Sequence, residues 1–432
     1  MSKKTTALTI IIFLIVLIGG LIIFYYLFLN QGGNISQLNP LNSEFDPFGS
    51  TNNSSNTNTQ NNYQSSQNQN NNTSPTYQNG TTTLPRLRQI SNTAIAGAIT
   101  IKKTNDNDLV RFMEKSTGHV FEAQTNYPEI KEISNTTIPK IYEAKWVEKG
   151  EAVLIRYNKD NTESVDTFYA KLQPTSIKAS TTPQSTQPGE QVTEKELNGN
   201  FLTQDIKEIA LSPLKDMIFY LQETSDSSQG VSSKPDGTKK QGFFQSAIKS
   251  WLISWPQTDI VAFQTKPSAS VPGFLFFLSK GKSTFEKQIG NINGMTSLVS
   301  PDLAHIIFSV SQGDTFSLYH RIMKSGKDES LTITTLPEKC VWSKKETATL
   351  YCAIPREIPK ALYPDDWYQG SVTFTDELWK INLNNSVFKI VSSPVTENSK
   401  NIDAVSLFLN DSETYLFFTN KKDSILWSLK LN

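Results

Sequence analysis

A turn followed by a strongly apolar strand recurs along the C-terminal four-fifths of the chain. It reads WVEKGEAVLIRY at 146–157, LSPLKDMIFYL at 211–221, SWPQTDIVAFQ at 254–264, VSPDLAHIIFSV at 299–310, WSKKETATLYCAI at 342–354 and LNDSETYLFFT at 409–419. Aligned on Val147, Ser212, Trp255, Ser300, Ser343 and Asn410, the steps are 65, 43, 45, 43 and 67 residues. ISNTAI at 90–95 also returns as ISNTTI at 133–138, again 43 residues on. A period in the low forties is that of a four-stranded propeller blade, a unit that can bury its apolar faces only against neighbours. The two long steps contain insertions, at about 173–197 and 355–374.

VRFMEKSTGHVFEAQ at 110–124 supplies one more pair of second and third strands ahead of this series. The reading is therefore an all-β, seven-bladed β-propeller over residues 84–432, with inner strands centred near Ala96, Glu143, Glu208, Leu252, Leu298, Val341 and Ser406. The seventh blade lacks an outer strand after ILWSLKLN, whereas RLRQIS at 86–91 precedes the first inner strand. The N-terminal strand is expected to complete blade seven, which closes the ring and removes an exposed sheet edge.

SPLKDMIFYL and SPDLAHIIFSV, with DELWKINL and SILWSLKL as later strands, resemble the TolB-type or WD40-like propeller repeat, in which SPDG leads into an apolar strand. Ser300, Pro301 and Asp302 keep the SPD core, Ser212 and Pro213 keep two of its residues, and the Gly is missing throughout. The resemblance implies the fold and carries over no partner-binding residues. The layout as a whole resembles membrane-anchored propellers of candidate-phylum bacteria.

Residues 7–29 form an uncharged apolar run of 23, about 34 Å as a helix and long enough to span a bilayer core. Lys3 and Lys4 precede it and no Lys or Arg follows before Arg86, which places 1–6 in the cytoplasm and the rest outside. LNQGGN offers no A-x-A site, so the run reads as a retained anchor and not a cleaved leader. Residues 30–83 read as a disordered linker: between 51 and 83, 29 of 33 residues are Asn, Gln, Ser or Thr and none is charged, too little apolar area to offset ordering.

With 41 Lys+Arg against 41 Asp+Glu, the chain lacks the basic surface of a general nucleic-acid binder. No G-x-S-x-G elbow exists, GKST at 281–284 lacks the first glycine of a phosphate loop, and NDND at 105–108 lacks calcium-loop spacing. His119, His305 and His320 fall in three segments and read as strand-end hydrogen-bonding residues. No enzyme, cofactor or metal site is expected. Cys340 and Cys352 become directly opposed if their strands form a hairpin centred on Glu346, within disulfide reach, and oxidation is permitted outside the cytoplasm.

Two polar insertions, 173–197 and 223–241, read as mobile loops on opposite faces, with 355–374 on the face of 223–241. The 355–374 segment is different in kind. Arg356, Tyr363, Asp365, Asp366, Trp367 and Tyr368, stiffened by three prolines, are the residue types of a binding hot spot, or else of aromatics packed on the blade beneath. The expected role is a protein-binding platform or sensor in the cell envelope, with another envelope or surface protein as partner; a glycan or small-ligand propeller is the alternative, and a propeller hydrolase a lesser one. Protease added outside the cytoplasmic membrane should release a soluble fragment by cutting within 31–84. A domain cut only after that membrane is opened would reverse the orientation.

Overall fold

The structure is a computed structural model, which describes residues 84–103, 108–158, 165–175, 195–281 and 284–431. The expected stub, anchor and linker (1–6, 7–29 and 30–83) lie outside the described residues, as does most of the 173–197 insertion. Among the described residues, no helix is long and apolar enough to cross a membrane.

Seven antiparallel four-stranded sheets follow one another along the chain. Their inner strands are Ile95–Ile101, Ile141–Val147, Ile206–Leu211, Trp251–Gln257, Ser297–Val299, Cys340–Trp342 and Ala404–Leu409, each containing its expected centre. The second strands explain why the sequence reads as unbroken apolar runs there. Both of their faces meet another blade, so Ala152–Asn158 and Thr349–Pro355 are buried almost throughout. Between blades three and four, Phe219, Trp251, Trp255 and Phe263 pack as one aromatic core.

In blades three, five and seven the repeated Ser or Asn acts in the turn before the second strand. Ser212 Oγ accepts the amide of Met217 at 3.0 Å, Ser300 Oγ that of His305 at 2.9 Å, and Asn410 Oδ1 that of Tyr415 at 2.8 Å. Each acceptor thus holds the amide five residues on, which fixes the turn locally. Three residues after each of them, where the SPDG pattern has glycine, Lys215, Leu303 and Glu413 adopt φ of 57°, 60° and 54°. The backbone keeps the left-handed turn although the glycine is gone, at a cost of about 1–2 kcal/mol each.

The polar segment 223–241, expected as a loop, instead carries a strand at its centre. Ser228–Ser233 is the third strand of blade three and Gln241–Ser246 its outer strand. Small side chains are required there: a Cβ on Gly230 would lie 2.4 Å from the Phe219 ring, and Ser228, Ser232 and Ser233 are buried. The strand is polar in composition because the large apolar volume comes from Phe219 on the strand beside it.

Blade seven is completed from the N-terminus: Leu87 pairs with Leu429, Arg88 with Ser428 and Gln89 with Trp427. Leu87 packs with Tyr351, Leu378 and Trp427, and Ile90 with Val110 and Phe417. Arg86 Nη1 donates to Val391 O of blade six at 2.7 Å, and Arg88 Nη2 to Gln124 O of blade one at 2.7 Å. The three-residue strand and the Arg86 that precedes it thus tie three blades. Leu87→Ala should lower the unfolding free energy by about 2–5 kcal/mol in urea titration; an unchanged midpoint would mean that the closing strand contributes nothing.

Candidate functional site

Residues 355–374 join the second strand of blade six, Thr349–Pro355, to its third, Asp376–Asn382. They fold as a compact cap with a short helix, Asp365–Gln369, ended by Gly370 at φ 79°. Asp366 Oδ2 accepts the Leu362 amide at 2.7 Å within the cap, and Asp365 Oδ2 accepts the Ala269 amide of blade four at 2.6 Å. Lys360 reaches Asp314 of blade five at 3.2 Å.

Of the six residues singled out in the sequence, Tyr363 and Trp367 are buried, at 0% and 3% exposure. Tyr363 lies against Phe316 and Phe374, with centroids at 4.6 and 5.8 Å, and its hydroxyl donates to Pro359 O at 2.6 Å. Burial pushes its phenol up to about 12. Tyr368 is 42% exposed, but its hydroxyl turns in to donate to Glu338. Burial, followed by the Glu338 charge, raises its pKa. Arg356 is half exposed, 3.9 Å from Glu377. Leu362, not singled out from sequence, stands 52% exposed.

The cap is held from below by a group that sequence reasoning missed. Lys339, fully buried, places Nζ 2.8 Å from Asp376 Oδ2, donates to Asp403 Oδ1, and reaches Ala404 O at 3.0 Å. Asp403 Oδ2 accepts both Trp367 Nε1 and the Phe374 amide at 3.0 Å. Asp376 Oδ2 also accepts the Ala404 amide at 2.6 Å, while its Oδ1 has no partner. Burial pushes Asp376 up to about 6, with the neighbouring Asp403 adding to the effect and Lys339 opposing it. The Lys339 ammonium also lies over the Trp367 and Phe374 rings, at 5.4 and 5.3 Å. In the sequence these three are ordinary charged residues beside apolar strands, a pattern that usually marks solvated turns.

Cys340 and Cys352 face each other across the first two strands of the same blade and are joined by a disulfide. His305 Nδ1 and His320 Nε2 share a hydrogen bond of 2.9 Å, both buried. Burial, then the other imidazole, takes His320 down to about 4. His119 sits 3.1 Å from Glu132. Among the described residues, no group of three or more His, Cys, Asp or Glu is placed to hold a metal.

Beside the cap, a pocket of about 820 Å³ follows the inner strands of blades seven, one, two and three. Lys421 belongs to both features: it lines the pocket and donates to Trp367 O at 2.7 Å. Within the pocket wall, Glu143 is 2.7 Å from both Lys145 and Arg156, which hold its pKa down against burial. Arg156 also donates to the Ile206 and Lys207 carbonyls, tying blade two to blade three. Glu208 faces the same space, and burial raises its pKa although Arg156 and Lys145 oppose the shift.

No family model matches the chain, and no curated protein matches it. Similar solved structures include an oligogalacturonate lyase in complex with manganese, 8% identical over 81% of this chain and 99% of that one, at a TM-score of 0.47. TolB from Acinetobacter baumannii is 9% identical over 78% of this chain and 63% of its own length, at 0.39. The β-propeller domain of the Trilobed protease from Pyrococcus furiosus is 7% identical over 78% and 95%, at 0.46.

A pH titration tests the buried ion network. Native Asp376 takes up its proton at about 6, whereas an unfolded aspartate does so at about 3.9. Between these values the native state holds more protons than the unfolded one, so Asp376 adds stability as pH falls from 7 to 4 and removes it as pH rises. His320, depressed in the native state, works in the opposite direction over the same range. Asp376→Asn cannot titrate, while the histidine effect cancels in the comparison. The stability of the unaltered protein relative to this variant should increase on acidification from pH 7 to 4.5; a flat or falling difference would contradict the assignment.

Proposed function

We propose that this chain is a membrane-anchored, extracytoplasmic propeller that binds another envelope or surface protein on the face carrying residues 355–374, without catalysing a reaction. The observation that carries this reading is the fixed cap: its buried half is committed to Lys339, Asp376 and Asp403, and its outer half presents Leu362, Tyr368 and Arg356. A surface already ordered before binding avoids about 0.5–1.5 kcal/mol per side chain of ordering cost. Tyr and Arg beside an apolar residue are also the types that dominate interface energetics. The disulfide supports the same reading, because it stiffens the blade from which the cap emerges.

A second reading, a glycan or small ligand in the central pocket, is supported by a volume within the range of about 300–1,000 Å³ typical of ligand sites. It leaves the exposed aromatic cap without a role.

Photocrosslinking residues installed in the native membrane discriminate between them. A probe at Tyr368 should give a discrete protein adduct, whereas a probe at Tyr127, exposed in a turn of blade one between its third and outer strands, should not. Adducts equal at both positions, or absent from both Tyr368 and Leu362, would remove the protein-binding face.

A further inference from the structure

We propose that the central pocket receives an acidic peptide segment of the bound protein, an inference that rests on the protein-binding reading above. The chain as a whole carries no net charge, yet the pocket wall is strongly one-sided. Lys115, Lys145, Arg156, Lys207, Lys215 and Lys421 line it, against Glu143 and Glu208. Glu143 is already occupied by Lys145 and Arg156. Among the described residues, Lys115, Lys207 and Lys215 have no carboxylate at ion-pair distance.

Lys215 is the most telling of these. It sits in the turn between the first two strands of blade three, where burial lowers its pKa and Lys344 lowers it further, with Asp411 opposing. Burial likewise lowers the pKa of Lys421. Enclosed ammonium groups held near one another are costly, and an incoming carboxylate relieves that cost.

The arrangement along the axis selects a chain over a single anion. Lys115 and Lys421 lie in turns between second and third strands, on the face that carries the cap, whereas Lys215 lies in a turn at the opposite end of the inner strands. Ala96, Ala98, Ala144 and Ser406 keep the wall low between them, and Tyr142 and Phe408 add apolar surface. Spaced cations with small and apolar side chains between them suit a peptide bearing several carboxylates. Lys421 joins the pocket mouth to Trp367 of the cap, so a protein seated on the cap has its acidic segment beside the opening.

The test uses the purified full chain in detergent and fluorescence anisotropy of a labelled six-residue peptide of Glu and Asp around one Leu, compared with its Gln and Asn counterpart. The acidic peptide should bind, weaken about tenfold or more between about 0.05 and 0.5 M salt, and weaken about tenfold or more in Lys207→Gln/Lys215→Gln. Unchanged melting of that variant confirms that the loss is local. Equal binding of the neutral peptide, or unaltered binding by the variant, would overturn the proposal. Inorganic phosphate at about 10 mM should not displace the peptide; displacement would assign the pocket to small anions instead. Absence of peptide binding alongside a protein adduct at Tyr368 or Leu362 would defeat the pocket proposal alone, whereas absence of adducts at both would defeat the protein-binding reading.

Discussion

An ammonium sealed from water between two sheets is tolerable only if charge of the opposite sign is sealed in with it and the remaining oxygens find donors. Lys339 imposes that condition on the region between blades six and seven. It needs Asp376 from one strand and Asp403 from the segment leading into the next blade. Asp403 in turn needs Trp367 Nε1 and the Phe374 amide, which only the cap supplies. The position of the candidate binding surface therefore follows from a charge beneath it, through hydrogen bonds that each complete the one before. The unpartnered Oδ1 of Asp376 is the remaining weak point, and it agrees in direction with the raised pKa.

The ring gives this network a rigid frame. The first and last sheets meet where Leu87, Arg86 and Arg88 pair, pack and reach to both neighbouring blades. Blade six carries the cap on an inner strand of only three residues, Cys340–Trp342, with few ladder hydrogen bonds of its own. The disulfide at Cys340 closes a loop of sequence separation 12. For so short a loop its entropic effect is at most about 3 kcal/mol, but it lies where the sheet is thinnest.

The repeat made the blades legible because the second strands are apolar on both faces, and in blades three, five and seven the turn before them carries a side-chain acceptor. Ser212, Ser300 and Asn410 expose that pattern in one dimension. The Ser228–Ser233 strand was not legible, since its burial depends on Phe219 of the adjacent strand and not on its own side chains. The aromatic insertion was visible as a cluster of residue types, but its division into buried Tyr363 and Trp367 and exposed Tyr368 depends on Lys339, Asp376 and Asp403. Those three are scattered over 64 positions of sequence. The pocket charge was hidden for the same reason: its six basic residues come from four blades and vanish into a neutral total.

A ring that fixes a cap, and a cap that stands ready before any partner arrives, is the claim on which the functional reading turns. Hydrogen exchange of the full chain measures it directly. Amides of 361–374, among them Asp366, Tyr368 and Phe374 with their bonded acceptors, should exchange on the slow timescale of Thr349–Pro355. In Lys339→Met they should accelerate at least about a hundredfold, the equivalent of about 3 kcal/mol for breaking a buried pair, with blades one to three unaffected. Fast, loop-like exchange of 361–374 in the unaltered protein would contradict the account.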